Sequence, residues 1–334
     1  MTSGKKIVKN ISISQSLGRR LSLTAAVSAL LFVSAPMAHA TIITIGDVSP
    51  NVGPGNTTTL GNLTVGVVNQ GSVDVNSQSI LNVSNLLSIR NGSTLSVSSG
   101  GETNASSVTL VGNNNNGDGT VLIQGSQAGT TSTLNTNIFH LGGNNSGGRL
   151  EIRDGGVLNA TAASNHTIGN NSTTGVTTGT QSALVTGAGI TANFGTSLLI
   201  GRSEQGQLDI ENGGTVNVVT VPNGGLPFIN IGSNNFSGVA GTGTVNVRGP
   251  GLTLNGGDSV GVGQLGGDGK LNVSNGGQVS AVSRNLVGGA GSTASVVVTG
   301  AGSAITTENV INAVTLQVGA QGTASLRRVS CRSC

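Results

Sequence analysis

Gly206-Gln207-Leu208-Asp209-Ile210, followed by the turn Asn212-Gly213-Gly214, is the stretch of sequence that decides the fold. In its general form this phrase has five positions: a glycine, any residue, a leucine or valine, a polar residue, and an isoleucine or valine. A glycine-bearing turn follows it. The phrase recurs at 148–152 and at 269–273. Looser copies are Gly243-Thr244-Val245-Asn246-Val247 and Ser295-Val296-Val297-Val298. A phrase that returns at a regular period indicates a solenoid built from repeated units.

An apolar-glycine pair precedes each phrase and marks the length of the unit. Successive pairs are about 25 to 32 residues apart, inside the window of solenoid repeats. Within a unit Leu208 and Ile210 point one way and Asp209 the other, because neighbouring side chains on a strand alternate. A third apolar segment follows the turn, so each unit predicts about three short strands separated by Gly/Asn turns. The pairs are Val111-Gly112, Leu141-Gly142, Ile168-Gly169, Ile200-Gly201, Ile231-Gly232, Val260-Gly261, Val287-Gly288 and Val318-Gly319.

Strands this short bury no face alone, but stacked in register they form long parallel sheets around an apolar interior. The predicted fold class is therefore all-β, a right-handed parallel β-helix of about eight or nine rungs with a rise of roughly 4.8 Å per rung. A disordered, glycine-rich chain is the alternative, since glycine makes up 56 of the 334 residues. The hydrophobic content of 35% argues against it, because disordered segments lack such residues. The residues predicted to be buried in apolar columns are Leu150, Ile152, Leu208, Ile210, Leu271 and Val273.

The first 40 residues have the pattern of an export signal. A basic leader precedes an apolar run at Leu21–Val33, and Ala38-His39-Ala40 is an A-x-A cleavage site, so we expect the mature chain to begin at Thr41. The pair Arg19-Arg20 suggests export by the twin-arginine pathway, but the residues that follow fit general export better. The predicted organisation is a signal peptide (1–40), an N-terminal cap or linker (41–59), β-helix repeats (60–325) and an atypical tail (326–334).

The charges and the cysteines of the chain limit its partners. Residues 41–325 carry seven basic residues against 12 acidic ones, a net charge of −5, so no nucleic-acid partner is expected. Cys331 and Cys334 lie in the tail, and without a second pair they predict no zinc or redox site. The abrupt change of composition at Leu326 favours an interrupted reading frame, with a short native tail as the alternative.

The units resemble the passenger domains of bacterial autotransporters, the type V secretion proteins. The matching phrases are Leu199-Ile200-Gly201, residues 206–216, Val185-Thr186-Gly187-Ala188-Gly189 and residues 298–303. The resemblance covers roughly residues 60 to 325. It implies a signal peptide, a surface-exposed β-helix and a C-terminal outer-membrane barrel of about 12 strands.

The resemblance also sets the functional expectations. No barrel follows Ser325 in this sequence, so we expect display at the cell surface or secretion for a full-length form and a periplasmic location for a truncated one. The expected role is adhesion or structural display without catalysis. The ligand is an unknown surface component: host matrix, a glycan or a neighbouring cell. A polysaccharide-acting β-helix enzyme, lyase-like or hydrolase-like, is the alternative.

Two histidines in the body occupy similar positions in consecutive units. His140 precedes Leu141-Gly142, and His166 lies just before Ile168-Gly169, so they could stack on each other. A metal site would need a third and a fourth ligand, and no carboxylate recurs at that place. Both histidines are therefore predicted to be turn or face residues, and no metal or cofactor is expected.

Acidic residues recur at one outward position of the repeat. Glu151 and Asp209 share that position, and Arg149, Arg153 and Arg202 are near in sequence. β-Helix pectate lyases use clustered aspartates with calcium and a basic residue, but the unit between these two offers Leu184. We interpret these residues as solvated strand faces, so no catalytic residue is predicted.

Two further patterns have simple interpretations. Residues 266–269, Gly-Gly-Asp-Gly, form a single copy of a calcium-like motif and predict a turn. The body has four phenylalanines and no tyrosine or tryptophan, which counts against carbohydrate and nucleobase sites, because such sites usually use stacked rings. The phenylalanines are Phe139, Phe194, Phe228 and Phe236.

Overall fold

The structure, a computed structural model, describes most of the chain after the predicted signal. The described residues are 41–50, 56–112, 117–125, 130–143, 146–170, 181–222, 225–234, 238–307, 316–318 and 323–329, all within the unit Ala40–Cys334. The export signal and both cysteines of the tail lie outside them. The described part of the chain is all-β and contains no helix.

The strands are short and follow one another at close intervals. In chain order they are β1 (Thr41–Gly46), β2 (Val48–Ser49), β3 (Thr57–Leu60), β4 (Leu63–Val65), β5 (Gly71–Asn76), β6 (Ile80–Val83), β7 (Leu86–Ile89), β8 (Ser93–Ser98), β9 (Glu102–Val111), β10 (Gly119–Gln124), β11 (Ser132–Leu141), β12 (Gly148–Arg153), β13 (Gly156–Ala160), β14 (Asn165–Asn170), β15 (Gln181–Thr186), β16 (Thr191–Gly195), β17 (Ser197–Arg202), β18 (Gln205–Glu211), β19 (Thr215–Val219), β20 (Phe228–Ser233), β21 (Thr242–Arg248), β22 (Thr253–Asn255), β23 (Ser259–Gln264), β24 (Asp268–Ser274), β25 (Gln278–Ala281), β26 (Arg284–Val287), β27 (Thr293–Thr299), β28 (Ala304–Thr307), β29 (Leu316–Val318) and β30 (Thr323–Val329).

The first ladder is an eleven-stranded sheet that contains the repeated phrases. Its order is β1-β5-β8-β10-β12-β15-β18-β21-β24-β27-β30, so each strand pairs with its equivalent in the next unit. Every pairing is parallel except that of β1 with β5, which is antiparallel. The strand β1 therefore lies along the edge of β5 and covers its backbone groups. At the other end, β30 runs to Val329, beyond the predicted start of the tail at Leu326.

The remaining strands stack in the same way as a second and a third ladder. The second ladder is β3-β6-β9-β11-β13-β16-β19-β22-β25-β28, and all of its pairings are parallel. The third is β4-β7-β9-β11-β14-β17-β20-β23-β26-β29, with β2 antiparallel to β4. The ten-residue strands β9 and β11 take part in both ladders, with a register shift between Thr136 and Ile138 in the pairing of β11 with β9.

The alternating apolar residues of the three ladders form one core. Leu208 pairs in register with Ala183 and Val245, and Ile210 with Val185 and Val247, so identical positions stack from unit to unit. A buried side chain of this size contributes about 1.5–3 kcal/mol. The prediction of the inward columns is confirmed, since all of its members are 2% exposed or less: Leu150, Ile152, Leu208, Ile210, Leu271 and Val273.

The turn after each phrase needs a left-handed backbone. Asn212 has a φ of 53° and Gly213 a φ of 92°, so the Asn-Gly sequence matches the conformation required. The amide of Gly214 closes the turn by donating to the carbonyl oxygen of Glu211 at 3.1 Å. The turn returns the chain to the second ladder at β19, which fixes where the outward residues of that ladder lie.

Candidate functional site

The outward face of the first ladder carries the two predicted acidic positions. The side chain of Glu151 is 15% exposed and lies between Arg149 at 2.7 Å and Arg153 at 3.0 Å. The side chain of Asp209 is 19% exposed. The register places Leu184 between these two acids, so they are two strand spacings apart, about 10 Å. The prediction that both face outward is confirmed, and the geometry keeps the two carboxylates from converging.

Hydrogen bonds occupy both oxygens of Asp209. Gln207 Nε2 donates to Oδ2 at 2.6 Å and Asn246 Nδ2 donates to Oδ1 at 2.6 Å, with the guanidinium of Arg248 at 3.8 Å. Half-exposed ion pairs of this kind contribute at most about 1 kcal/mol. The first ladder therefore presents a face whose charges are largely matched within the chain.

The second ladder carries a continuous column of asparagine side chains on its outward face. Each asparagine donates from Nδ2 to Oδ1 of the preceding one, at 2.5–3.0 Å, and Ser280 Oγ closes the column by donating to Asn255 at 2.7 Å. The parallel register places every member beside the next. The asparagine column consists of Asn82, Asn104, Asn135, Asn159, Asn193, Asn217 and Asn255.

The column leaves hydrogen-bonding capacity for a ligand. A primary amide has two N–H donors and an oxygen with two lone pairs, and the bonds along the column use one of each. One donor and one acceptor per turn therefore stay available at a spacing of about 4.8 Å, except at Asn135, whose Nδ2 also donates to Glu102 Oε1 at 3.3 Å. Two shallow depressions lie against the column, one of about 250 Å³ beside Asn135 and one of about 240 Å³ beside Asn217. The sequence interpretation missed this column, although an asparagine between two apolar residues recurs in the third segment of most units.

The third ladder places the two histidines differently from the prediction. His140 is a half-buried face residue, as predicted, and its Nδ1 lies 2.8 Å from Thr167 Oγ1. His166 is fully buried, so the prediction that it is a turn or face residue is wrong. The two do not stack, because the register pairs His140 with Thr167. One position of offset in the sequence sends the two rings to opposite sides of the sheet.

Burial determines the protonation of both histidines. The Nδ1 atom of His166 accepts from the amide of Phe139 at 3.3 Å, and its ring centroid lies 5.7 Å from that of Phe194. Desolvation lowers the pKa of His166 to about 4, although the carbonyl groups of Ala162 and Gly195 act in the opposite direction. Desolvation, assisted by the positive charge of Arg202, also lowers the pKa of His140 to about 4. Both imidazoles are therefore neutral near pH 7.

A groove of about 440 Å³ crosses the outward face of the third ladder. Its lining includes Leu199 and Asn230, which are register partners on β17 and β20, and Phe228 at the start of β20. Arg202 at the end of β17 and the exposed Leu265 also line the groove. Pockets of this volume are typical of small-ligand sites. The sequence did not reveal the groove, because its residues come from separate units and meet only through the register.

A buried polar pair, Gln181 with Glu204, marks a departure from the repeat. Gln181 occupies the register position that Gly148 and Gly206 hold in the neighbouring strands, and it is 0% exposed. Its Nε2 donates to Glu204 Oε2 at 2.7 Å and to the carbonyl oxygen of Ser146 at 3.1 Å. The signal in the sequence was a glutamine at the glycine position of the phrase. This contact joins adjacent turns at the corner between the third and first ladders.

The other predicted features have ordinary structural roles. Residues 266–269 form a turn into β24, closed by the amide of Gly267 donating to the carbonyl oxygen of Gln264 at 3.0 Å, so that prediction is confirmed. Across the described ranges, no group of three or more histidine, cysteine, aspartate or glutamate side chains is placed to hold a metal ion. Nor does any helix in this part of the chain have the length and apolar character needed to cross a membrane.

The candidate functional surfaces are therefore the asparagine column of the second ladder and the groove of the third. Both are formed by side chains from several successive units, and both follow from the parallel register. No protein-family model, curated protein or solved structure matches this chain.

Proposed function

We propose that the chain is an exported, surface-displayed passenger of the autotransporter type that acts in adhesion or structural display. Its fold would be a right-handed parallel β-helix in which each turn contributes a segment to each of the three ladders. Counted in this way, the strands from β5 to β29 make nine turns, about 40 Å at the spacing of parallel strands. The ligand would be a surface component such as host matrix, a glycan or a neighbouring cell.

The asparagine column is the observation that carries this proposal. It offers a hydrogen-bond donor and acceptor at most turns along a line of amide side chains from β6 to β22. A single contact of this kind is weak, but repeated contacts on one ligand raise the overall affinity without any strong individual site. A solenoid supplies such repetition, because each added turn presents the same surface again.

A binding role is favoured over cleavage of a polysaccharide. Catalysis by paired carboxylates needs them on one substrate bond, within about 5–10 Å and unencumbered. Glu151 and Asp209 lie at the far end of this range, with Leu184 between them and donors on their oxygens. The two neutral histidines lie on the third ladder, away from both acids.

Retention of cells on protein-coated beads tests the proposal. Beads carrying the purified full chain should retain bacterial or host cells, and the variant Asn193→Asp should weaken retention by placing a charge in the middle of the column. Asp268→Asn, an equally small change at an exposed position of the first ladder, serves as the control. Release of reducing or unsaturated sugar ends from a polysaccharide panel would contradict the binding role and support the enzyme.

A further inference from the structure

The charge in the described lining of the third-ladder groove is positive, unlike the net charge of residues 41–325. Arg202 is the charged residue among its described lining residues, whereas residues 41–325 carry a net charge of −5. At physiological salt, charges are screened beyond about 8 Å, so a ligand in the groove is influenced mainly by the nearest group. An anionic ligand can therefore bind here although residues 41–325 are acidic overall.

The remaining groups of the groove suit a polar ring with an apolar face. Phe228 is half-buried and Leu265 is 62% exposed, so both present apolar surface to the groove. The Oδ1 atom of Asn165 accepts from Ser197 Oγ at 2.7 Å, which leaves its Nδ2 group as a donor. The amide of Asn230 makes no hydrogen bond within the described part of the chain, although its side chain lines the groove. Amides of this kind match the hydroxyl groups of sugars.

We propose that the third-ladder groove binds a carboxylated sugar within a saccharide chain. The positive charge of Arg202, which lines the groove, would attract the carboxylate. The ring of Phe228 would pack against the C–H face of the sugar, and Asn165 and Asn230 would bond to its hydroxyls. Phenylalanine is rare in this chain, so its presence in this groove is informative. The assignment rests on the proposed display function and names a ligand class for it.

Titration of the full chain with two matched saccharides tests the assignment. The probes are tetragalacturonate and its fully methyl-esterified form, which keeps the sugar rings and loses the charges. Isothermal titration should give at least tenfold tighter binding of the acid. The variant Arg202→Gln should abolish this preference, and Asn230→Ala should weaken both probes. Arg149→Gln, an exposed arginine on the first ladder, should change neither result.

Several outcomes would overturn the assignment. These are equal affinity for acid and ester, an unchanged preference in Arg202→Gln, or no binding by a chain with an intact far-ultraviolet β spectrum. Binding of polyglutamate as tightly as the uronate would replace the sugar with a general anion and overturn it as well. Failure of the bead assay with a successful titration would contradict adhesion and leave the groove standing. A failed titration with retained cells would do the reverse.

Discussion

Acidification should destabilise the chain through His166. This side chain is 0% exposed, and burial lowers its pKa to about 4, whereas an unfolded histidine has a pKa near 6.5. Between these values the unfolded state binds a proton that the folded state does not bind. The free energy of unfolding therefore falls as the pH falls through this window, by about 3 kcal/mol, and changes little above pH 7.

The substitution His166→Leu isolates this contribution. Leu198 already occupies the register partner of His166, so leucine fits the inward column. The variant loses the acceptor for the amide of Phe139, which lowers its stability equally at every pH. The slope between pH 7 and pH 4 is the diagnostic quantity, and it should be flatter in the variant by about 3 kcal/mol.

Urea unfolding followed by far-ultraviolet circular dichroism measures this slope, since the chain has no tryptophan or tyrosine. His140→Gln is a useful comparison, because His140 is half-buried and its pKa is also lowered to about 4. It should remove a separate part of the pH dependence. Identical pH dependence in wild type and His166→Leu would refute the assignment of His166 as a buried neutral core residue.

Three further predictions concern the packing of the turns. Ile210→Asp should cost about 4 kcal/mol or more, because it buries a charge, whereas Asp209→Asn should cost about 1 kcal/mol, as measured by urea melts. Gly112→Ala should cost more than 2 kcal/mol, because φ is +68° and the new Cβ would overlap a backbone carbonyl oxygen of the next turn. Gly189→Ala is the matched control and should cost about 1 kcal/mol, because its φ of +76° is similar but the space around it is open. Asn193→Ala should cost about 1–2 kcal/mol by removing one hydrogen bond from each of its two column neighbours, and hydrogen exchange should rise in the adjacent strands.

The inward half of the fold could be predicted from the sequence. Leu208 and Ile210 alternate with polar residues, and the Asn-Gly turns fix where each strand ends, so local rules suffice for the inward columns. Those rules predict which side chains are buried. They predict the outward surface only when the register between units is known.

The outward surfaces therefore needed the structure. The groove combines Leu199, Arg202 and Phe228, which lie on two different strands and meet through pairing. His140 directly precedes its apolar-glycine pair, whereas His166 lies two residues before its own pair. This difference of one residue places His166 inside the core, and the two positions look alike in the sequence. The asparagine column was accessible in principle, because aligning the third segments of the units brings its members to one position.

The spacing of equivalent positions tests the in-register parallel stacking most directly. Spin labels would be placed on the outward column of the first ladder, at Thr120 with Gln207, Thr244 or Lys270, after replacement of Cys331 and Cys334 by serine. These pairs are three, four and five strand steps apart. Electron–electron double resonance should give mean distances that rise by about 4.8 Å per step, near 14, 19 and 24 Å. Distances that fail to increase in equal steps along the column would contradict the stacking on which both candidate surfaces depend.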